Sequence, residues 1–441
     1  MTIKRDHYLN QLAVLRGNGL VKVITGIRRC GKSYLLFTLF KGFLRKEGVD
    51  AKHFVEVNLD DERQRKLRNP IELGRFIRER MPRDRKVRYV FIDEIQLCRK
   101  VKDPSVKLSE IAPEDRAFAY VTFYDVLNEL MKLPNTEIYV TGSNSKMLSR
   151  DVATNFRDRG VEIRLHPLSF AEYLSVVRTE KAEAWERYLI WGGMPLAALA
   201  DDDAARAKYL KELFLKVYVR DICERNKLKS DYVVSKVVDL LSSSVGSLTN
   251  PHRLVNAMKT VLGVETNDVT LKKYLGYLED SFLFSKAQRY DVKGKKYLDY
   301  PEKFYAEDLG LRNARLNFRQ VEKTHLMENA IYNELIRRGC NVDVGVVNTE
   351  KMLNGKREYR ALEIDFIVNF GLKKVYVQSA FSISDEEKWR QETLSLRQSG
   401  DFFRKIVVQD GFLPPVTDDD GIVRVGVVPF MLDPTILIPA Q

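Results

Sequence analysis

The residues whose types and spacing point most directly to chemistry are Gly26-Ile27-Arg28-Arg29-Cys30-Gly31-Lys32-Ser33, a GxxxxGK[ST] pattern. The β-branched apolar run at 20–25 precedes it, and a helical run at 34–44, opened by Tyr34, follows. In that context the glycines let the backbone turn and bring its N–H groups close to phosphate oxygens. The following helix points its positive end at the same anion. Lys32 would reach the β- and γ-phosphates, and the Ser33 hydroxyl would coordinate Mg2+. The expected ligand is ATP with Mg2+, held by residues 26–34. Cys30 reads as a small residue that fits the loop, with a thiol activated by the helix terminus as the alternative. Arg28 and Arg29 face either the phosphates or acidic neighbours.

Two further strand ends belong with this loop. Residues 88–96, Arg-Tyr-Val-Phe-Ile-Asp-Glu-Ile-Gln, form an apolar run ending in paired carboxylates, as a buried parallel strand does when its end faces a ligand. Asp93 is expected to hold the magnesium shell and Glu94 to act as general base on the attacking water. A third strand at 137–141 ends in Gly142-Ser-Asn-Ser145, where Asn144, or secondarily Ser143, would contact the γ-phosphate or the water. Arg157 or Arg159 is the expected arginine finger, from the same chain or a neighbouring subunit. Residues 100–115, rich in charge and proline, read as a surface insertion without assigned function, followed by a helix at 123–131.

As an ordered set these residues resemble prokaryotic AAA-type ATPases of the archaeal-ATPase-like class that carry a C-terminal domain of unknown function. The resemblance rests on segments 24–33, 91–96 and 139–149, on Pro167-Leu-Ser-Phe-Ala-Glu-Tyr173 and Gly192-Gly-Met-Pro195. It extends to Lys303-Phe-Tyr-Ala-Glu-Asp-Leu-Gly310, Glu328-Asn-Ala-Ile-Tyr332 and Glu363-Ile-Asp-Phe366. It implies an α/β fold class: a P-loop NTPase parallel sheet, a helical lid, a winged helix, and a C-terminal α/β domain similar to PD-(D/E)XK nucleases. The corresponding domains are 1–170, 171–228, 229–303 and 304–441.

The residues themselves fit this division. Apolar positions recur at helical spacing through 171–225, punctuated by Gly192, Gly193 and Pro195. Residues 267–278 carry an N-cap candidate before a helical pattern, and 282–290 with 296–300 suit a hairpin around Val292-Lys-Gly-Lys295. Lys272, Lys273, Arg289, Lys293, Lys295 and Lys296 would then lie on the helix and wing, placed for duplex DNA phosphates. The last domain alternates a helix at 326–338 with strands at 363–369, 374–379 and 405–409. Glu328 and Asp365 stand where nuclease ligands would, but Gln378 replaces the second acid and Ala380 the lysine. Lys373 or Lys374 is the candidate substitute, and a degenerate nuclease-like domain is the expectation.

Composition sets the frame. The chain has 441 residues, 44% hydrophobic and 30% charged, as in ordinary globular domains. Its +12 charge suggests an anionic partner besides the nucleotide. Four dispersed cysteines and five histidines lack zinc-site spacing. Residues 1–11 do not read as a signal peptide, and residues 421–440 contain Arg424 and Asp433 and make a poor membrane span. A cytoplasmic ATPase acting on or regulated by double-stranded DNA is expected, a homo-oligomer being one option. Its alternatives are a nucleotide-held signalling or scaffold switch and a Mg-dependent nuclease.

Overall fold

The computed structural model describes residues 3–437 apart from 108, 110, 111, 144–158, 229, 230, 354 and 355. The chain divides into two compact units, Met1–His166 with Asp280–Phe282, and Pro167–Glu279 with Leu283–Gln441.

In the first unit the strands are β1 (Val21–Thr25), β2 (Phe54–Asn58), β3 (Arg88–Asp93), β4 (Val101–Lys102), β5 (Tyr120–Val121), β6 (Thr136–Thr141) and β7 (Gly160–Arg164). Five of them form a parallel sheet in the order β2-β3-β6-β1-β7, so β6 intervenes between the strands carrying the phosphate loop and the paired carboxylates. Strand alternation sorts the side chains into two faces. Val21, Val23, Val55, Val57, Val90, Ile92, Ile138 and Val140 pack with Leu73, Ile77, Val126, Leu127 and Leu130 from helices Pro70–Arg80 and Phe123–Leu130. On the other face Phe54, Tyr89, Phe91 and Tyr139 form an aromatic cluster with Phe40. Phe40 belongs to the helical stretch after the loop, made of Lys32–Tyr34, a wider π-type turn Leu35–Phe40, and Lys41–Lys46. Lys22 and Glu137 form a buried ion pair on this face. β4, within the segment read as an insertion, pairs with β5 just beyond it as a short antiparallel ribbon.

The second unit opens with helices Phe170–Val177, Lys181–Trp191, Pro195–Ala198 and Asp203–Leu213. Helices Tyr232–Ser243, Pro251–Leu262 and Asp268–Asp280 follow, the last preceded by Asn267, whose side chain accepts the Thr270 N–H at 2.8 Å. The strands β8 (Leu248–Thr249), β9 (Phe284–Asp291), β10 (Lys296–Ala306), β11 (Asn341–Leu353), β12 (Lys356–Phe370), β13 (Lys373–Ala380), β14 (Arg404–Gln409), β15 (Val416–Thr417) and β16 (Ile422–Gly426) join one sheet. Its order is β15-β16-β14-β13-β12-β11-β9-β10-β8. Strand β10 runs through positions 303 and 304, where sequence reading puts a domain boundary, and pairs with β9 on both sides of it. A bulge sets one extra residue of β12 against β11 between Asp343↔Ile367 and Gly345↔Ile364, beside Asp365.

Two glycine-containing segments of the second unit lock together. A Cβ on Gly310 would lie 1.9 Å from the Trp191 carbonyl oxygen, and one on Gly193 would lie 2.2 Å from that of Leu168. The Asp308 carboxylate accepts the Gly193 N–H at 2.7 Å and caps helix Leu309–Arg315 through Leu311 N–H at 2.9 Å.

Candidate active site

The loop starts at a position where only glycine fits: Gly26 has φ 136°, and a Cβ there would lie 2.1 Å from the Leu165 carbonyl oxygen. Gly31 has φ 103° just before the helix, a left-handed conformation that favours glycine. The buried Lys32 ammonium donates to the carbonyl oxygens of Gly26 at 2.9 Å and Ile27 at 3.1 Å, which places it across the loop. Ile27 is itself buried, so it contributes backbone only. Cys30 is buried with its Sγ donating to the Leu165 carbonyl at 3.4 Å, the packing role expected of a small loop residue. Ser33 and Tyr34 are exposed at the start of the helix.

Alternation along β3 and β6 brings Asp93 and Thr141 onto the face of that helix. Ser33 Oγ donates to Asp93 at 2.8 and 2.9 Å, and Thr141 Oγ1 donates to Asp93 at 2.5 Å. Thr141 Oγ1 also accepts the Glu94 N–H at 3.0 Å. Burial pushes the Asp93 carboxyl above its ordinary value, against the hydrogen bonds from Thr141 and Ser33. Glu94 has φ 53°, a left-handed conformation uncommon outside glycine. Its carboxylate accepts from Gln96 Nε2 and from Ser143 Oγ at 3.4 Å. Ser143 Oγ in turn accepts from Arg28 Nε at 3.4 Å and Gln96 Nε2 at 3.3 Å. Ser33 and Asp93 offer two hard oxygen donors, the kind of sparse protein set that suits Mg2+ shared with phosphates and water.

Thr141 and Gln96 are the participants that sequence reading passes over. Both lie inside segments it singles out, Thr141 as the last residue of a strand and Gln96 at the end of the carboxylate segment. Only the strand order, which sets β6 against β3, assigns Thr141 its partners. Arg159 is a correction as a finger acting within its own chain. It precedes β7 and is exposed, with its carbonyl accepting the Val21 N–H, whereas the loop leaves the sheet at the Thr25↔Arg164 end. Five residue steps, about 16 Å of strand, separate the two levels. Asn144 and Arg157 lie outside the described residues. Arg29 is exposed with φ 66°.

In the second unit, β9 and β10 form the hairpin expected around residues 292–295, pairing Asp291↔Lys296 and Tyr290↔Tyr297. Lys293, Lys295 and Lys296 are exposed at its tip, and Lys293 Nζ donates to the Asn348 carbonyl at 3.2 Å. Lys272 and Lys273 are exposed on helix Asp268–Asp280, with Lys272 over the Tyr300 ring of β10 at 5.2 Å. Arg289 is partly buried inside the sheet, between Leu298 and Val344, and stands apart from the tip.

Glu328, Asp365 and Gln378 do converge. Gln378 Oε1 accepts the Asp365 N–H at 3.3 Å, and Ser379 N–H donates to the Asp365 carboxylate at 2.8 Å. Lys373 and Lys374 are corrections as substitutes for the lysine. They sit at the far start of β13, paired with Phe370 and Asn369, and the Lys374 ammonium lies over the Tyr290 and Phe403 rings. The lysine that reaches the carboxylates is Lys303 of β10, which the sequence reading quotes only as the start of a resemblance segment and gives no chemical role. Burial pushes Asp365 up to about 8, with the neighbouring Glu328 charge adding to it. Burial opposes the charge on Lys303, but Glu328, Asp365 and Glu363 together raise its pKa above the ordinary value. Among the described residues, no group of three or more His, Cys, Asp or Glu side chains is arranged to hold a metal ion. No helix among them is long and apolar enough to cross a membrane.

Comparison with known proteins agrees with the first unit's geometry. Residues 18–174 match the AAA domain family, and residues 182–322 match a domain of unknown function, DUF8612. An uncharacterized protein of Haemophilus influenzae is 31% identical over 435 residues, covering 98% of each chain. An uncharacterized protein of Methanocaldococcus jannaschii is 24% identical, covering 93% of this chain and 87% of its own. Among solved structures, a Walker-type ATPase of Pyrococcus abyssi aligns with TM-score 0.46 and 14% identity over 71% of this chain and 96% of its own. The near full-length match places this chain in the same family as the Haemophilus influenzae protein, with an AAA-type P-loop domain at residues 18–174.

Proposed function

We propose that this protein is a Mg-dependent cytoplasmic ATPase whose nucleotide cycle drives or gates action on double-stranded DNA. The observation that carries the reading is the hydrogen-bonded set Ser33–Asp93–Thr141, with Lys32 in the loop and Glu94 following Asp93. Lys32 would bind the β- and γ-phosphates, and Mg2+ held by Ser33 and Asp93 would offset phosphate charge. Glu94 would take the proton of the attacking water, with Gln96 and Ser143 fixing its carboxylate. An arginine completing the site would come from a neighbouring copy, in a homo-oligomer. The exposed lysines of the hairpin and of helix Asp268–Asp280 supply the surface for DNA.

Phosphate release measured for wild type, Lys32→Ala and Glu94→Gln over a range of DNA concentrations tests this. Lys32→Ala is expected to lose ATP binding. Glu94→Gln should keep it while kcat falls about 100-fold or more. Turnover by Glu94→Gln at the wild-type rate would remove Glu94 as the base. A second reading, in which ATP is held as a switch with little turnover, draws on the engagement of the Glu94 carboxylate by Gln96 and Ser143. It predicts tight ATP binding without steady-state phosphate release, with or without DNA.

A further inference from the structure

Outside the phosphate loop, the buried Lys303 sits among the carboxyl groups of Glu328, Glu363 and Asp365. Its side chain is only 4% exposed, and its ammonium lies 2.9 Å from Glu328, 2.7 Å from Glu363 and 3.7 Å from Asp365. The four residues come from three elements: β10, helix Lys323–Arg337, and β12 at its bulge. Further donors reach two of these carboxylates. Tyr305 donates its hydroxyl to Glu328 at 2.8 Å, and the Ser379 N–H reaches Asp365.

An ammonium carries three donors and no acceptor. Here Glu328 and Glu363 lie within hydrogen-bonding distance and Asp365 at ion-pair distance, with Glu328 and Asp365 buried and Glu363 partly exposed. Glu328, Glu363 and Asp365 are the oxygen ligands a divalent ion would need, yet they converge on a nitrogen and form no metal-holding group. A carboxylate buried without a counter-charge, as Glu328 would be, is strongly disfavoured. The chain places a cation of its own among these carboxyl groups.

We propose that the Lys303 ammonium is the resident cation of the Glu328–Glu363–Asp365 cluster, filling from within the chain the place a divalent metal would take. The domain is then built without a metal and has no metal-assisted cleavage chemistry at these carboxyls. It ties the hairpin strand β10 to the helix and to β12 by charge.

The test measures Mn2+ binding by electron paramagnetic resonance on nucleotide-free full-length protein. An Asp93→Asn background keeps the loop from contributing. With Lys303 intact, no bound Mn2+ sensitive to Glu328→Gln is expected. Lys303→Met should gain one bound Mn2+, lost again when Asp365→Asn is added, while Lys303→Arg should fold and gain none. Mn2+ bound to the Lys303 protein and abolished by Glu328→Gln would overturn the proposal, as would a folded Lys303→Met that gains no ion. Should Lys303→Met fail to fold alone, refolding with Mn2+ is expected to restore its far-UV circular dichroism, and failure to do so would equally overturn it.

Discussion

At the residue scale the two carboxylates that end β3 depend on one hydroxyl. Thr141 accepts the Glu94 N–H and donates to Asp93, so the backbone that orients the proposed base and the acid that faces Ser33 share an anchor. Thr141→Val keeps the shape and removes both bonds. It would leave the Glu94 N–H unpaired and take one donor from the buried Asp93, a cost of about 1–3 kcal/mol in stability. Because outer partners of a site typically matter by about 10–100-fold, kcat should fall by that range while ATP affinity changes less. Phosphate release and nucleotide binding on the same sample separate the two effects. An unchanged kcat with a lowered melting temperature would assign Thr141 to the fold alone.

At the scale of elements, the glycines of Gly192-Gly193 and Gly310 work by close approach. Gly310→Ala would gain about 1 kcal/mol in intrinsic helix propensity at the start of helix Leu309–Arg315. The added Cβ would sit 1.9 Å from a backbone oxygen that no side-chain rotation can clear. Overpacking of about 3 kcal/mol then wins, and a urea unfolding midpoint should move down. Burial pushes Asp308, which ties these segments, up to about 6 despite its backbone hydrogen bonds. A carboxyl whose folded pKa lies above its unfolded one binds more protons when folded, so its contribution to stability falls as pH rises through that window. Relative to Asp308→Asn, wild type should lose about 3 kcal/mol as pH rises from about 3 to about 7 and change little outside that range. A flat difference across that range would contradict the assignment. Much of this level was legible beforehand: the loop, the strands ending at Thr25, Asp93 and Thr141, and the hairpin all follow from local pattern. Strand order, the β12 bulge and the pairing of Lys303 with Asp365 were not. They depend on contacts between residues far apart in sequence, and no periodicity encodes them. Strand β11 was passed over although Val342, Val344 and Val346 alternate as a strand does, and the β9 and β12 backbones hold it on either side.

At the scale of the whole molecule, the net charge of +12 becomes meaningful only where it is concentrated. Lys272 and Lys273 on the helix and Lys293, Lys295 and Lys296 at the hairpin tip are all exposed within one unit, whereas Lys22 and Lys303 are spent on buried pairs. If those five lysines each neutralise a duplex phosphate, the logarithm of affinity should fall with the logarithm of salt at a slope of about −4.5. Raising salt from about 50 to about 200 mM would then weaken binding about 500-fold. Replacing Lys293, Lys295 and Lys296 together by alanine should flatten the slope by about 2.7 without regard to DNA sequence. Fluorescence anisotropy on a labelled duplex at several salt concentrations reads this directly. Basal phosphate release without DNA should stay at the wild-type level, because none of the three lysines is among the residues assigned to the loop chemistry. A slope that the triple variant leaves unchanged would move the DNA contact elsewhere on the basic surface, and with it the reason for reading the hairpin as a wing.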